Sequence, residues 1–156
     1  MLALALAAEE LAREVYRRAV AARPFRGPWA AYLEAALAQE EEHARRLREA
    51  LGRQPALRFR LPEVFQSPIL LLRLLESLEE AFVGAYLGAL PLLEGEALRL
   101  AGAILGVEAG HRVLVRQARL ELQDPLLRPP FVANDRALEQ ALSPEGAREA
   151  LKPYLP

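Results

Sequence analysis

Both histidines of this 156-residue chain lie three residues after a glutamate: Glu40 precedes His43, and Glu108 precedes His111. Residues three apart on an α-helix share a face, so each glutamate and its histidine can ligate the same ion. Two E-x-x-H units on different helices are typical of a two-metal carboxylate site inside a four-helix bundle. No other feature of the sequence restricts the fold as strongly.

The sequence around these units repeats as well. Glu9 precedes Tyr16 by seven residues, and Glu79 precedes Tyr86 by seven. Each of these glutamates is followed by an E-x-x-H unit at a similar distance, 31 residues in the first copy and 29 in the second. We therefore predict two copies of a helical hairpin, each supplying one glutamate and then a glutamate with a histidine.

Start and stop signals divide the chain into four long helices and a short one. Ser67 followed by Pro68 is typical of a helix start, as are Pro28 and the Ser143-Pro144 pair. The predicted helices span residues 2–22, 28–52, 68–91 and 95–120, with a short helix after Ser143. Apart from a short extended piece at 57–60, the prediction is all-α.

Helix geometry indicates that the glutamates of each hairpin meet. At 1.5 Å per residue, Glu9 lies roughly 20 Å from the end of its helix, and Glu40 roughly 18 Å from the start of the next. For Glu79 and Glu108 the values are about 17 and 18 Å. The 14 residues from 53 to 66 separate the hairpins, and extended they would span roughly 46 Å. Such a crossover predicts that the second and third helices run parallel.

We predict that two divalent transition-metal ions bind at the bundle centre. The predicted ligands are Glu9, Glu40, His43, Glu79, Glu108 and His111. Alternatives for the two lone glutamates are Glu10 or Glu14 in the first copy and Glu80 or Glu76 in the second. Carboxylates with imidazoles suit iron or manganese better than copper, and zinc is a further option. Two cations would also offset the cost of burying four carboxylates together.

Aromatic residues near the predicted ligands are interpreted first as core residues. Tyr16 and Tyr86 lie about two turns from Glu9 and Glu79 on the same helix faces, where we expect buried rings with hydrogen-bonded hydroxyls. The alternative is a redox role or a role in supporting the ligands. Tyr32, near the first connection, is interpreted as a packing residue.

Composition excludes several classes of function. A formal net charge of −1 offers no electrostatic basis for nucleic-acid binding. The chain has no cysteine, which excludes disulfides and thiolate metal sites. The longest uncharged run, residues 81–93, is too short to cross a bilayer. The apolar first residues lack the basic segment of a signal peptide, which favours the cytoplasm.

Residues 1–122 are predicted to form the bundle, and residues 123–156 a C-terminal extension packed against it. Residues 69–75 are apolar around more than one helix face. We therefore expect a subunit interface there and a homo-oligomer, a dimer or larger.

The second hairpin resembles a known family. The segments LEEAFVGAYLGA (78–89) and AILGVEAGH (103–111), with the C-terminal stretch 142–154, are similar to the ferritin-like-domain family that includes the desiccation-related proteins. The resemblance implies a ferritin-like four-helix bundle with a di-iron or di-manganese site. Glu79, Glu108 and His111 match directly, and the first hairpin matches more loosely. Ala12 replaces an acidic residue of the family pattern, and Gly84 replaces a small residue, which we expect to be harmless.

A site of this kind is expected to react with oxygen or peroxide, as a ferroxidase, a peroxidase or a catalase-like enzyme. One alternative is a non-catalytic metal-binding protein with a structural or stress-protection role. Another is an iron-storage oligomer. A haem bundle with both histidines as axial ligands would leave the four glutamates unexplained.

Overall fold

The computed structural model describes residues 2–52 and 57–155, and within them it contains helices, turns and irregular segments but no β-strand. The α-helices are α1 (Leu2–Ala22), α2 (Pro28–Leu51), α3 (Pro68–Ala89), α4 (Gly95–Glu121) and α5 (Pro144–Leu151), and single 3₁₀ turns follow α3 (Leu90–Leu92) and α5 (Lys152–Tyr154). The all-α prediction is confirmed, with helix ends within two residues of those predicted. Residues 57–60 are irregular rather than a strand. None of the described helices is both long enough and apolar enough to cross a membrane.

Two helices begin as the Ser-Pro pairs predict. The Ser67 hydroxyl accepts a hydrogen bond from the Leu70 amide, and the Ser143 hydroxyl accepts one from the Gly146 amide at 3.1 Å. Each bond satisfies a backbone donor that has no partner within its helix. The proline after each serine lacks an amide hydrogen, so it leaves no donor unpaired in the first turn.

Contacts between the helices establish the topology. α1 packs along α2 and α3 packs along α4. Tyr16 of α1 bonds to Glu79 of α3, while Glu9, earlier in α1, bonds to Tyr86, later in α3. This reversed order makes α1 and α3 antiparallel. α2 is also antiparallel to α1, because the short connection 23–27 turns the chain back along it.

Since α2 and α3 both run antiparallel to α1, they run parallel to each other. The predicted bundle with a long crossover between the second and third helices is therefore confirmed. Within the crossover, residues 53–56 lie outside the described part of the chain.

Most of the apolar run at the start of α3 is buried by the chain itself, although Leu70 is exposed. Leu71, Leu72, Leu74 and Leu75 belong to the main core cluster, together with residues of α1. Partly buried side chains of the crossover and of the C-terminus, including Phe59 and Tyr154, pack against the same cluster. The apolarity of this run therefore does not require a subunit interface, and the homo-oligomer stays a prediction.

The C-terminal extension lies directly against the backbone of α3. The Leu142 amide donates a hydrogen bond to the Gly84 carbonyl at 2.8 Å. A Cβ atom on Gly84 would lie 3.0 Å from the Gln140 carbonyl oxygen, and one on Gly88 would lie 1.9 Å from that of Leu142. Glycine at position 84, expected to be harmless, is what the packing needs, because only glycine leaves room for the extension at both places.

Candidate metal centre

Six buried side chains meet in the middle of the bundle. Each of α1 to α4 supplies one glutamate, and α2 and α4 each add a histidine one turn later. All four glutamates are fully inaccessible to solvent, and the histidines are nearly so. The structure therefore brings together every predicted ligand: Glu9, Glu40, His43, Glu79, Glu108 and His111.

These side chains form two overlapping sets. In each set, one potential ligand atom from every member lies within 4.8 Å of the others. The sets are Glu9, Glu40, His43 and Glu108, and Glu40, Glu79, Glu108 and His111. Glu40 and Glu108 belong to both, so they occupy the positions from which a carboxylate can bridge two ions. Glu9 belongs only to the first set, and Glu79 only to the second.

Both imidazoles present Nδ1 to the carboxylates. His43 Nδ1 lies 3.0 Å from Glu108 Oε1 and 3.1 Å from Glu9 Oε2. His111 Nδ1 lies 3.1 Å from Glu40 Oε1. The Nδ1 atoms are therefore the nitrogens placed to ligate ions, while each Nε2 points away from the glutamates of the centre.

The two tyrosines of the repeat hydrogen-bond across the hairpins. Tyr16, in the first hairpin, donates its hydroxyl to Glu79 Oε1 in the second at 2.6 Å. Tyr86, in the second hairpin, donates its hydroxyl to Glu9 Oε1 in the first. The prediction of buried tyrosines with hydrogen-bonded hydroxyls is confirmed. Their partners are the two glutamates that are not shared between the sets.

Two residues of α2 that support the centre were not found from the sequence. The Gln39 side-chain oxygen lies 2.7 Å from His111 Nε2, and the Tyr32 hydroxyl lies 2.8 Å from that of Tyr16. Tyr32 is therefore a hydrogen-bond partner of Tyr16 as well as the packing residue that the sequence predicts. The available signal was their spacing of seven residues, which places them on one helix face with His43. Gln39 adjoins Glu40 but had no counterpart in the repeat.

The four alternative ligands lie among arginines, outside the centre. Glu10 pairs with Arg13 and Arg48, and Glu14 with Arg17 and Arg18. Glu76 pairs with Arg116 and Arg119, and Glu80 with Arg112 and Arg136. A guanidinium partner satisfies each of these carboxylates without a metal ion.

Hydrogen bonding of the buried polar atoms shows whether the centre suits a metal ion. Several of them have no hydrogen-bond partner among the described residues: both oxygens of Glu40, both oxygens of Glu108, Glu79 Oε2 and His111 Nδ1. Leaving such atoms unsatisfied costs free energy, and buried carboxylates are normally paired or bound to metals. All of these atoms belong to residues of the two sets. The residues therefore fit a pair of divalent cations.

Proton affinities in the metal-free centre are strongly perturbed. Burial, and then repulsion from Glu108, raises the pKa of Glu9 well above its usual value, and the same two causes raise that of Glu79. Burial alone would raise the pKa of Glu108, but the neighbouring His111 and His43 outweigh it and lower the pKa to about 2. The histidines hold their protons tightly.

Burial opposes the charged form of each imidazole, but the carboxylates overcome it. Glu108, Glu40 and Glu9 raise the pKa of His43 to about 12, and Glu108 and Glu40 raise that of His111 to about 9. In the absence of metal, protons thus supply part of the positive charge that this group of carboxylates requires.

Comparison with known proteins supports the fold and the type of site. A family model described as a ferritin-like domain matches residues 1–121. The match does not single out the desiccation-related branch, so that narrower assignment stays a prediction. No curated protein and no solved structure was found to match the chain.

Proposed function

The chain belongs to the ferritin-like domain family, and from this membership and the geometry of the centre we propose that it is a two-metal carboxylate protein that reacts with oxygen or peroxide. The bound ions would be iron or manganese, because the ligand set is four carboxylates and two imidazoles. The reaction would be that of a ferroxidase, a peroxidase or a catalase-like enzyme.

The observation that supports this proposal best is the sharing of two glutamates. Glu40 and Glu108 belong to both potential ligand sets. A site that only stabilises the fold needs one ion and a closed set of ligands. Two ligand sets with two residues in common would instead hold a pair of ions close together, which is the arrangement of two-metal catalytic sites.

Each side chain has a distinct role in this proposal. Glu40 and Glu108 would bridge the ions, while Glu9 with His43 and Glu79 with His111 would complete one ion each. When bound, the ions would supply the electrons that reduce oxygen or peroxide.

The tyrosines hold the outer carboxylates and keep protons near them. Tyr86 orients Glu9, and Tyr16 orients Glu79. Burial, and then the nearby glutamate, raises the pKa of each hydroxyl well above its usual value, so both stay protonated. They therefore remain O–H donors to Glu79 and Glu9.

Metal analysis followed by rapid kinetics tests the proposal. Protein purified without added metal should contain up to two ions of iron or manganese per chain. Fe(II)- or Mn(II)-loaded protein should then be oxidised by oxygen or by peroxide in a stopped-flow instrument faster than the free ion. If neither oxidant reacts faster with the loaded protein, the metals have a structural role and the redox proposal is wrong.

A pair of variants separates the centre from the surface of the same bundle. Glu108→Ala removes a bridging carboxylate and should abolish the oxidation while the circular-dichroism spectrum keeps its helical form. Glu41→Ala serves as the matched control, because Glu41 adjoins Glu40 but its side chain is exposed. This control should bind and oxidise metal like the wild type.

A further inference from the structure

The two halves of the centre are related by the repeat but are not equivalent. We define the first half-site as Glu9 with His43 and the second half-site as Glu79 with His111. Gln39 lies four residues before His43 and accepts a hydrogen bond from His111 Nε2 at 2.7 Å. The residue four before His111 is Val107, whose side chain offers no polar atom to His43.

The tyrosine contacts differ in the same direction. Tyr16, which donates to Glu79, is itself hydrogen-bonded to Tyr32 at 2.8 Å. The Tyr32 ring also lies edge-on to the His111 ring, with centroids 6.1 Å apart and an interplanar angle of 74°. At the position equivalent to Tyr32, eleven residues before His111, the chain has Leu100. The contacts from residues outside the two ligand sets therefore favour the second half-site. The first half-site has the shorter contact within the set, with His43 Nδ1 3.1 Å from Glu9 Oε2 against 3.8 Å for His111 Nδ1 and Glu79 Oε1.

These contacts prepare the second half-site for an ion. A partner that accepts from Nε2 fixes the orientation of the imidazole and keeps a proton on Nε2, so Nδ1, which faces the carboxylates, is the nitrogen that gives up its proton to bind an ion. Ordering His111 and Glu79 in advance lowers the entropy lost when an ion binds. In the first half-site, His43 is held only through Nδ1, 3.1 Å from Glu9 Oε2, and none of the described residues is seen to bond to its Nε2. His43 is also the more exposed of the two histidines, at 7 % against 3 %.

We propose that the two half-sites bind metal unequally, that the second half-site fills first, and that Gln39 is the positioning residue responsible. This inference rests on the proposed function, because it requires a two-metal centre. It concerns the order of loading rather than the reaction. Losing a hydrogen-bond partner of a metal-ligating histidine typically costs about 10- to 100-fold in affinity, and we expect a difference of this size between the half-sites.

Zinc titration followed by nitrogen NMR tests the order of loading directly. Zn(II) is diamagnetic, and the chain contains only two histidines, so each Nδ1 resonance can be followed separately. With up to one equivalent of Zn(II) added to the metal-free protein, the His111 Nδ1 signal should shift to its bound position. The His43 signal should follow mainly during addition of the second equivalent.

Reciprocal variants identify the cause. Gln39→Val gives the second half-site the residue found in the first, and it should weaken the tighter Zn(II) dissociation constant in calorimetry by roughly 10- to 100-fold. Val107→Gln should strengthen the weaker constant. The double variant, Gln39→Val with Val107→Gln, should reverse the order in which the two histidine signals shift. Residue 39 is exposed and residue 107 half-buried, so neither change alters the closed core of the bundle.

The outcomes separate this inference from the proposed function. Two Zn(II) ions bound with indistinguishable constants, or with His43 shifting first, would overturn the inference and leave the two-metal centre standing. If the double variant loads metal in the same order as the wild type, Gln39 is excluded as the cause of that order. If no Zn(II) binds and neither histidine shifts, the proposed function fails together with the inference.

Discussion

Two regions of this molecule bury several charged side chains, and they do so in opposite ways. In the centre, four glutamates face each other with only two imidazoles between them. On the outer side of α3 and α4, five arginines meet five carboxylates. We call this second region the arginine cluster; it comprises Arg73, Arg112, Arg116, Arg119 and Arg136 with Glu76, Glu80, Asp124, Asp135 and Glu139.

The comparison shows which buried charges have partners within the protein. In the arginine cluster, Arg116 reaches Asp135 at 2.8 Å and Glu76 at 3.1 Å, and it also donates to the carbonyls of Val132 and Ala133. The cluster thus attaches the C-terminal extension to the bundle. In the centre, most carboxylate oxygens have no hydrogen-bond partner among the described residues. Each carboxylate of the arginine cluster has a guanidinium partner within the chain, whereas the carboxylates of the centre would gain theirs from bound cations.

Metal should therefore have the largest effect of any change on the stability of the protein. At a free ion concentration about 1,000 times the dissociation constant, binding should stabilise the fold by about 4 kcal/mol. For a chain of this size, that corresponds to a rise in Tm of roughly 8 to 16 °C. Thermal unfolding with Mn(II) and with excess chelator measures it. If the Glu108→Ala variant, which lacks one of the shared carboxylates, shows the same rise in Tm with Mn(II), the contrast between the centre and the arginine cluster is wrong.

Removing a cation from the arginine cluster should have the next largest effect. Arg116→Leu leaves Asp135 without its guanidinium partner and leaves Glu76 with Arg119 alone, and we expect a loss of about 3 kcal/mol in the free energy of unfolding. Arg99→Leu is the matched control, because Arg99 and its partner Glu96 are exposed. The control should cost less than about 1 kcal/mol in the same chemical denaturation experiment. Equal losses in the two variants would show that the cluster contributes no more than a surface ion pair.

Acid should weaken the arginine cluster through Asp124. The guanidinium of Arg73, against the opposing effect of burial, holds the pKa of this carboxyl well below its ordinary value of 3.8. Because the folded-state pKa is the lower one, the stabilisation is complete above the unfolded value and is lost as the pH falls towards the folded value.

An Asp124→Asn variant isolates this contribution. Wild-type protein should be more stable than the variant by about 2 kcal/mol at pH 6, and the difference should shrink as the pH falls below 4. Denaturant unfolding across this range measures it in metal-free protein. A difference that does not change with pH would mean that Asp124 stabilises the loop by its hydrogen bonds alone.

The smallest expected effect gives the sharpest test, because adjacent residues should respond with opposite signs. In metal-free protein at neutral pH, Glu79→Gln removes a carboxyl group whose pKa is raised by burial and by Glu108, and it should stabilise the fold by about 1 kcal/mol. Glu80→Gln removes a partner of Arg112 and Arg136, and it should destabilise the fold by up to about 1 kcal/mol. The same sign in both variants would contradict the distinction between the two regions.

Much of the centre could be predicted because helices turn local spacing into shared faces. The E-x-x-H units, and the matched heights of Glu9 with Glu40 and of Glu79 with Glu108, depend only on helical period and rise, which the sequence displays directly. The Ser67 and Ser143 helix starts were recognisable for the same reason. Whether the six predicted ligands bind metal stays a prediction, although the structure brings them together.

Other features could not be predicted, because they depend on residues that are distant in the sequence. Cover for most of the apolar run of α3 comes from the crossover and the C-terminus, which are far from it in the sequence. The close approach to Gly84 comes from Leu142, 58 residues away. Arg116 had no sequence signal, because its partners in the extension lie in irregular segments.

The sequence by itself determined that the chain forms two similar helical hairpins and that each presents carboxylates and a histidine on an inward face. Periodicity is a local property, so no tertiary information was needed. Only the tertiary structure decided that Tyr16 and Tyr86 each donate to a glutamate of the other hairpin. It also decided that Gln39 accepts a hydrogen bond from His111, while Val107 offers His43 no such contact. These contacts arise from how the hairpins pack, and a repeat in sequence does not make the two packed environments the same.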